Sequence, residues 1–145
     1  MKVLLQRVAR SEVRVDGTVV AAGGPGLLLL VGIGADDAAE EPARMAEKVY
    51  RLRIFEDEDG KMNRSLADVG GDVVVVPQFT LYGDTSRGRR PSWIHAAPPD
   101  VAGGRVEAFA ASLASLGARV QTGAFREHME VELVNDGPVT LLLEA

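Results

Sequence analysis

The sequence predicts a mixed α/β single domain, residues 1–145, in which two main helices pack on sandwich or barrel-like sheets. Its length of 145 residues suits one domain, and 46% hydrophobic residues supply a core. Short β-branched and leucine-rich runs alternate with glycine turns, which is typical of strands. Two longer stretches, residues 36–53 and 100–116, instead repeat apolar residues at helical spacing.

The amino-terminal third predicts a strand, a hairpin and a further buried strand. Residues 2–9 form the first, and residues 13–20 contain Asp16-Gly17 between two β-branched arms, a strong hairpin signal. Residues 27–31 form a buried strand bounded by glycines. These glycines match neither G-x-G-x-x-G nor a phosphate-binding loop, so we interpret them as turns.

Both helices carry recognisable ends. Asp36 or Asp37 is the expected cap of the first helix, and Pro42 is expected near its start. Asp100 is the expected N-cap of the second helix, and Gly117 is its stop signal.

A run of four valines, residues 73–76, predicts a strand buried on both faces. Pro77 has no backbone donor, so strand pairing must change there. The amide, aromatic ring and hydroxyl of Gln78, Phe79 and Thr80 follow, and a rigid strand that ends in polar groups is a good place to hold a reacting group. A core strand running into a turn is the alternative.

A polar loop, residues 82–95, carries Arg87, Arg89, Arg90 and the only tryptophan, Trp93. Arginines beside an aromatic ring suit a single-stranded RNA end, with guanidinium on phosphate and ring on base. A plain solvated loop is the alternative. The formal net charge of −5 means that any contact with nucleic acid must use such a local patch.

Three short strands are expected at the carboxyl end, at residues 119–121, 129–134 and 139–143. A turn is expected between the last two, at Asn135-Asp136-Gly137-Pro138. A Gly-Pro step adopts the cis form far more readily than a step without proline.

Composition excludes several classes. With no cysteine there is no disulfide, thiolate nucleophile or cysteine-ligated zinc. The sequence contains no run of 18 apolar residues, so no membrane span is predicted. Its first residues do not resemble a signal peptide, so a cytoplasmic protein is expected.

Conventional hydrolytic residues are poorly arranged. His95 has Ser92 and Asp84 nearby, but no G-x-S-x-G elbow exists and a loop is a poor platform for a triad. His128 has no partner at metal-ligand spacing, so no metal site is expected. Thr80 has no neighbouring base in the sequence, which makes it a weak nucleophile. An enzyme built on this chain must therefore rely on backbone N–H groups and on the substrate itself.

Two segments carry a resemblance to a known family, Pro77-Gln78-Phe79-Thr80-Leu81 and Asn135-Asp136-Gly137-Pro138-Val139-Thr140. Shorter matches follow the same order along nearly the whole chain: Gln6-Arg7-Val8, Val15-Asp16-Gly17, Leu52-Arg53-Ile54-Phe55-Glu56-Asp57, Lys61-Met62-Asn63, Gly88-Arg89-Arg90-Pro91 and Ala96-Ala97-Pro98. With these segments the chain resembles the bacterial type of D-aminoacyl-tRNA deacylases.

The resemblance implies a homodimeric hydrolase that needs no cofactor and cleaves the ester between a D-amino acid and the terminal adenosine of tRNA. It also implies that Gly137-Pro138 is cis and reaches into the partner subunit's site. There, a clash with the backbone rejects L-amino acids. Glycine has no side chain to clash, so glycyl-tRNA is expected to be cleaved as well.

The resemblance makes Gln78, Phe79 and Thr80 the catalytic segment and places Pro77 in the pocket floor with them. The N–H groups of Phe79 and Thr80 are expected to stabilise the oxyanion. Two mechanisms stay open, one with Thr80 as nucleophile and one with main-chain groups and the 2′-hydroxyl of the tRNA. The weak activation of Thr80 favours the second.

Further roles follow from the resemblance. Arg7 is expected to lock the Gly-Pro loop and to support substrate binding, and Arg87, Arg89 and Arg90 are expected to meet tRNA phosphates. One residue departs from the family: Pro77 stands where bacterial members usually have serine. Proline there resembles a sister branch with laxer chiral rejection.

Two alternatives remain. A non-catalytic RNA-binding dimer of the same fold would not need the intact segments at residues 77–81 and 135–140. An editing module attached to a synthetase would need a linker, and the sequence shows none. Neither a DNA partner nor a membrane partner is expected.

Overall fold

A computed structural model describes all residues, 1–145. It contains one six-stranded sheet, a two-stranded hairpin, three helices and a single 3₁₀ turn. The elements are β1 Lys2–Val15, β2 Thr18–Gly23, β3 Gly26–Gly32, α1 Glu41–Arg51, β4 Phe55–Glu56, β5 Met62–Arg64, α2 Leu66–Val69, β6 Asp72–Pro77, the 3₁₀ turn Phe79–Tyr82, α3 Pro99–Leu116, β7 Arg119–Thr122 and β8 Glu130–Glu144.

The large sheet curls into a nearly closed barrel. Its strand order is β2-β1-β3-β6-β7, and β8 pairs with the other edge of β1. The N–H groups of Ala22 and Gly24, on and after β2, donate to the side chains of Gln121 and Asp72 at 2.9 and 2.8 Å. These bonds bring β2 against β6 and β7 and confirm the mixed α/β, barrel-like prediction.

β6 is buried on both faces, as predicted. Val73 and Val75 belong to the main core with α1 and α3, whereas Val74 and Val76 belong to a smaller core on the opposite face. β3 and β7 flank β6 in parallel. Because burying one such side chain contributes about 1.5–3 kcal/mol, the four valines hold β6 firmly between the two cores.

The hairpin at Asp16-Gly17 is confirmed, with both residues at positive φ, 49° and 78°. The predicted end of the first strand, at residue 9, was wrong. β1 runs without interruption from Lys2 to Val15, because its two halves pair with different strands, β3 and then β2.

Both predicted helices are present, but the predicted start of each was wrong. α1 begins at Glu41 and not near Asp36, because Asp37 accepts a hydrogen bond from the N–H of Gly34 at 2.6 Å and so stabilises a local turn. α3 begins at Pro99, which places Asp100 inside the first turn. The stop at Gly117 is confirmed by its φ of 112°. No helix has both the length and the apolar character that crossing a membrane requires.

The expected turn at residues 135–138 was also wrong. β8 continues from Glu130 to Glu144, and the register against β1 shifts on either side of Val8. Asn135 explains the continuity, since its side-chain amide donates to the carbonyls of Arg7 and Val139 at 2.9 and 3.0 Å. These bonds replace ladder hydrogen bonds, so the strand bulges without reversing. The Gly137-Pro138 peptide is cis.

Candidate active site

A cavity of about 760 Å³ opens at the carboxyl end of β6. The end of β6, the start of α3 and residues 125–129 surround it, and most of its lining is apolar. Pro77, Gln78 and Phe79 all line it. Its volume lies in the range of small-molecule sites, so it is the natural place for a ligand on this chain.

Two backbone donors are free where β6 ends. The N–H of Gln78 donates to the carbonyl of Val31 at 2.8 Å and completes the pairing with β3. The next two N–H groups, those of Phe79 and Thr80, donate to no acceptor, because they open the 3₁₀ turn. A rigid strand thus presents two adjacent, unused hydrogen-bond donors beside the cavity.

The hydroxyl of Thr80 is exposed and lacks a base. Its Oγ1 accepts a hydrogen bond from the side-chain amide of Gln78. No histidine, lysine or carboxylate contacts it through a hydrogen bond. An amide cannot take the proton of a hydroxyl, so the geometry does not activate Thr80 as a nucleophile.

Aromatic side chains form part of the cavity rim. The rings of Phe79 and Trp93 meet edge to face, with centroids 5.1 Å apart and an interplanar angle of 70°. Phe125 lies on the rim at the segment that precedes β8. Such rings suit a flat base or sugar face.

A second polar group lies between β1 and β8. Arg7 is only 5% exposed, and its Nη1 donates to the carbonyl of Ile54 at 2.7 Å. Its Nε donates to the carbonyl of Asp136 at 3.2 Å and lies 3.3 Å from the carboxylate of that residue. Arg7 thereby ties the bulge of β8 to the segment that leads into β4.

Gly137 has a φ of +130°, which side chains rarely tolerate. A Cβ built there lies 3.0 Å from Cγ2 of Val139 and 3.1 Å from Nη2 of Arg7. Gly137 and Pro138 are exposed, and neither lines the cavity of its own chain.

The residues expected to act together therefore fall into three places. Pro77, Gln78 and Phe79 lie at the cavity with Thr80 next to them, whereas Arg7, Gly137 and Pro138 lie together on the β1–β8 face. Arg87, Arg89 and Arg90 are exposed and form no ion pair. Sequence reasoning missed the cavity wall at residues 125–129, because no motif or periodic pattern marks that segment.

A Ser–His–Asp set is not assembled. Hydrogen bonds from the hydroxyl and the N–H of Ser86 hold the pKa of the Asp84 carboxyl below its usual range. The Asp84 carboxylate therefore accepts hydrogen bonds from Ser86 in its own loop. The side chain of His95 makes no hydrogen bond. No cluster of three histidine, aspartate or glutamate residues could hold a metal ion.

Replacing Arg7 with methionine is expected to lower the free energy of unfolding by about 2–3 kcal/mol, since a charge-assisted hydrogen bond is lost and the Ile54 carbonyl stays buried without a donor. We expect Arg10→Met, on the same strand but in an exposed pair with Glu132 at 2.7 Å, to cost less than about 1 kcal/mol. Urea unfolding of both variants measures the difference. Equal losses would show that Arg7 holds nothing in place.

Comparisons with known proteins agree along the whole chain. The D-Tyr-tRNA(Tyr) deacylase family matches residues 4–144. The D-aminoacyl-tRNA deacylase of Heliobacterium modesticaldum is 58% identical over 144 residues, 99% of this chain and 96% of that protein. Its counterpart in Thermomicrobium roseum is 57% identical over 145 residues, 100% of this chain and 94% of that protein.

Solved structures show the same fold. The c-Myc DNA Unwinding Element Binding Protein superposes with a TM-score of 0.93 at 37% identity, covering 100% of this chain and 99% of its own. A probable eukaryotic D-amino acid tRNA deacylase superposes with a TM-score of 0.84 at 19% identity, covering 98% and 97%. On the family match and the two bacterial relatives, the chain belongs to the D-aminoacyl-tRNA deacylase family.

Proposed function

We propose that this chain, as a single domain of residues 1–145, hydrolyses the ester of D-aminoacyl-tRNA with main-chain groups as its principal catalysts. Membership in the family makes it a D-aminoacyl-tRNA deacylase, which is a hydrolase. The observation that carries the proposed mechanism is the pair of unused N–H groups on Phe79 and Thr80, presented beside the cavity by a strand buried on both faces.

These donors suit the charge that develops during ester hydrolysis. Attack on the ester carbonyl places negative charge on its oxygen, and preorganised N–H donors stabilise that oxyanion. One such donor contributes about 3–4 kcal/mol in known cases. With Thr80 not activated, the attacking group is water, assisted by the 2′-hydroxyl of the terminal adenosine.

The cavity next to these donors suits the aminoacylated adenosine. Its walls are mostly apolar, and the rings of Phe79, Trp93 and Phe125 border it. An unstacked base and its ribose are commonly held between such rings. Arg87, Arg89 and Arg90 are exposed in the loop between Asp84 and Ser92, which precedes Trp93 in the chain, and we assign them to the phosphates of the tRNA end.

A second copy of the chain supplies the rest of the site in our proposal. Gly137 and Pro138 do not line the cavity of their own chain. The outer edge of β8 has no strand partner and carries the exposed side chains of Val134, Leu141 and Leu142. An unpaired strand edge of 15 residues that also carries exposed apolar side chains favours association with another copy. In the homodimer, Gly137 and Pro138 then enter the partner's cavity.

Chiral selection follows from the backbone of Gly137 and Pro138 inside the partner's cavity. With the amino group and the ester both held, inverting the α-carbon directs an L side chain into the Gly137-Pro138 backbone. Rejection is then steric, and a D side chain points away from the clash. Glycyl-tRNA carries no side chain, so it is a substrate under the same rule.

The proposal is tested by incubating the protein with D-Tyr-tRNA, L-Tyr-tRNA and Gly-tRNA and following the ester that remains. We expect the D-Tyr and glycyl esters to disappear and the L-Tyr ester to persist. Stability of the D-Tyr ester at micromolar protein would refute the activity, and loss of L-Tyr at the same rate would refute the steric rule.

Replacing Thr80 with alanine is expected to keep most of the activity, within about threefold, since removing a hydroxyl that no base activates costs little. The N–H at position 80 remains. Single-turnover rates on D-Tyr-tRNA measure the effect. A loss of a thousandfold or more would establish Thr80 as the nucleophile instead.

The alternatives make different predictions in the same assay. A non-catalytic RNA-binding dimer would bind D-Tyr-tRNA and leave its ester intact. A module that works only when attached to a synthetase would cleave nothing by itself. The free donors on Phe79 and Thr80 argue against simple binding, which has no need of them.

A further inference from the structure

Trp93, the only tryptophan of the chain, contacts the segment that carries the proposed oxyanion donors. We propose that Trp93 is a positioning residue that fixes the ring of Phe79 and thereby aims the N–H groups of Phe79 and Thr80. This inference rests on the proposed function, because it concerns the same two donors.

The 3₁₀ turn needs support from outside itself. It has only four residues, and so short a turn has little stability of its own. On its inner side the turn packs on Gly32, where an added Cβ would lie 2.9 Å from the carbonyl oxygen of Gln78. On its outer side Phe79 is 55% exposed, and its aromatic contact there is with Trp93.

Trp93 is 40% exposed but is supported on its inner side. Asp84 and Ser92 exchange two backbone hydrogen bonds, both 2.9 Å. These bonds close the base of the loop that carries Arg87, Arg89 and Arg90, just before Trp93. The indole packs against Gly83, where an added Cβ would lie 2.8 Å from Cζ3. A fixed indole can therefore hold the exposed ring of Phe79 in one orientation.

Trp93 also borders the cavity, so it could bind substrate as well as position Phe79. The kinetic constants KM and kcat separate these two roles. A ring that only binds substrate affects KM, because its contact is the same in the ground state and the transition state. A ring that aims the oxyanion donors affects kcat, because those donors act as charge develops.

The first test compares Trp93→Leu with Trp93→Phe on D-Tyr-tRNA. We expect Trp93→Leu to lower kcat about tenfold, in addition to the rise in KM that loss of its ring from the cavity wall brings, and Trp93→Phe to restore most of kcat, since phenylalanine can also meet Phe79 edge to face. Ile94→Ala is the matched control, because Ile94 is the next residue, is 75% exposed and does not line the cavity. We expect it to match the wild type.

A double-mutant cycle tests whether the effect passes through Phe79. Phe79→Leu keeps the backbone donor and removes the ring. If Trp93 acts through that ring, the double variant Trp93→Leu with Phe79→Leu loses no more activity than the worse single variant. Additive losses, or a rise in KM alone, would overturn the proposal.

Amide hydrogen exchange gives a readout that does not depend on activity. We expect the amides of Leu81 and Gly83, which close the turn by donating to the carbonyls of Gln78 and Thr80 at 3.3 and 3.0 Å, to exchange faster in Trp93→Leu than in the wild type, with unchanged exchange in the strands of the core. Unchanged exchange at these two amides would overturn the positioning role. An inactive wild type with this same exchange pattern would instead refute the proposed function and leave the positioning role of Trp93 standing.

Discussion

Replacing Gly137 with alanine is expected to lower kcat/KM for D-Tyr-tRNA about a hundredfold, because misplacement of a positioning group by 1 Å has a cost of that order. The backbone there has a φ of +130°, and the new Cβ would lie 3.0 Å from Val139 and 3.1 Å from the guanidinium of Arg7. The bulge of β8 must shift to relieve these contacts. A shift there moves the backbone that we assign to the partner's cavity.

Gly104→Ala is the matched control for this change. Gly104 lies in α3, a Cβ there meets nothing within 4 Å, and alanine favours a helix by about 0.5–1 kcal/mol over glycine. We expect this variant to keep full activity and a slightly higher unfolding midpoint. Full activity of the Gly137 variant, with fold intact by circular dichroism, would remove Gly137 from the site.

Replacing Phe79 with proline is expected to lower kcat by about 10²–10³, which is the usual cost of deleting one oxyanion donor. Proline lacks the backbone N–H that we assign to the oxyanion. Phe79 is the first residue of the 3₁₀ turn, where the missing N–H breaks no hydrogen bond within the chain. Gln78, which precedes it, has φ −146° and ψ 76°, outside the α region that a following proline disfavours.

Phe79→Leu separates the donor from the ring, because leucine keeps the N–H group. We expect a loss of about tenfold at most for leucine and a much larger loss for proline, each measured as single-turnover kcat on D-Tyr-tRNA. Equal rates for the two variants would mean that the N–H of residue 79 does not stabilise the transition state.

Elements with one dominant local signal could be predicted from the sequence. Four consecutive valines admit few interpretations, and β6 is buried on both faces. The hairpin at Asp16-Gly17 and the stop at Gly117 depend on local backbone preferences, so they were also predictable. The local pattern at residues 77–80 also fitted a core strand running into a turn, and only the family resemblance singled out this segment as a site.

Features that depend on distant side chains could not be predicted in this way. The predicted start of α1 was wrong because the carboxylate of Asp37 pairs with the amino-terminal group of Met1, 36 residues earlier, as well as with the N–H of Gly34. The turn expected at residues 135–138 was wrong because Asn135 bonds across to the carbonyl of Arg7, 128 residues earlier. No sequence pattern reports such pairs, and family resemblance rather than local pattern pointed to Arg7 beside the bulge.

The most direct test of the central claim, that two copies of the chain build each site, mixes two inactive variants. Gly137→Ala and Phe79→Pro chains are unfolded together and refolded at equal amounts, with each variant refolded alone as control. In a mixed dimer, one cavity combines the intact Phe79 of one copy with the intact Gly137 of the other. Random pairing places one intact site in about half of the dimers, so we predict about a quarter of the wild-type activity toward D-Tyr-tRNA. Activity no higher than that of the separate variants would contradict the claim.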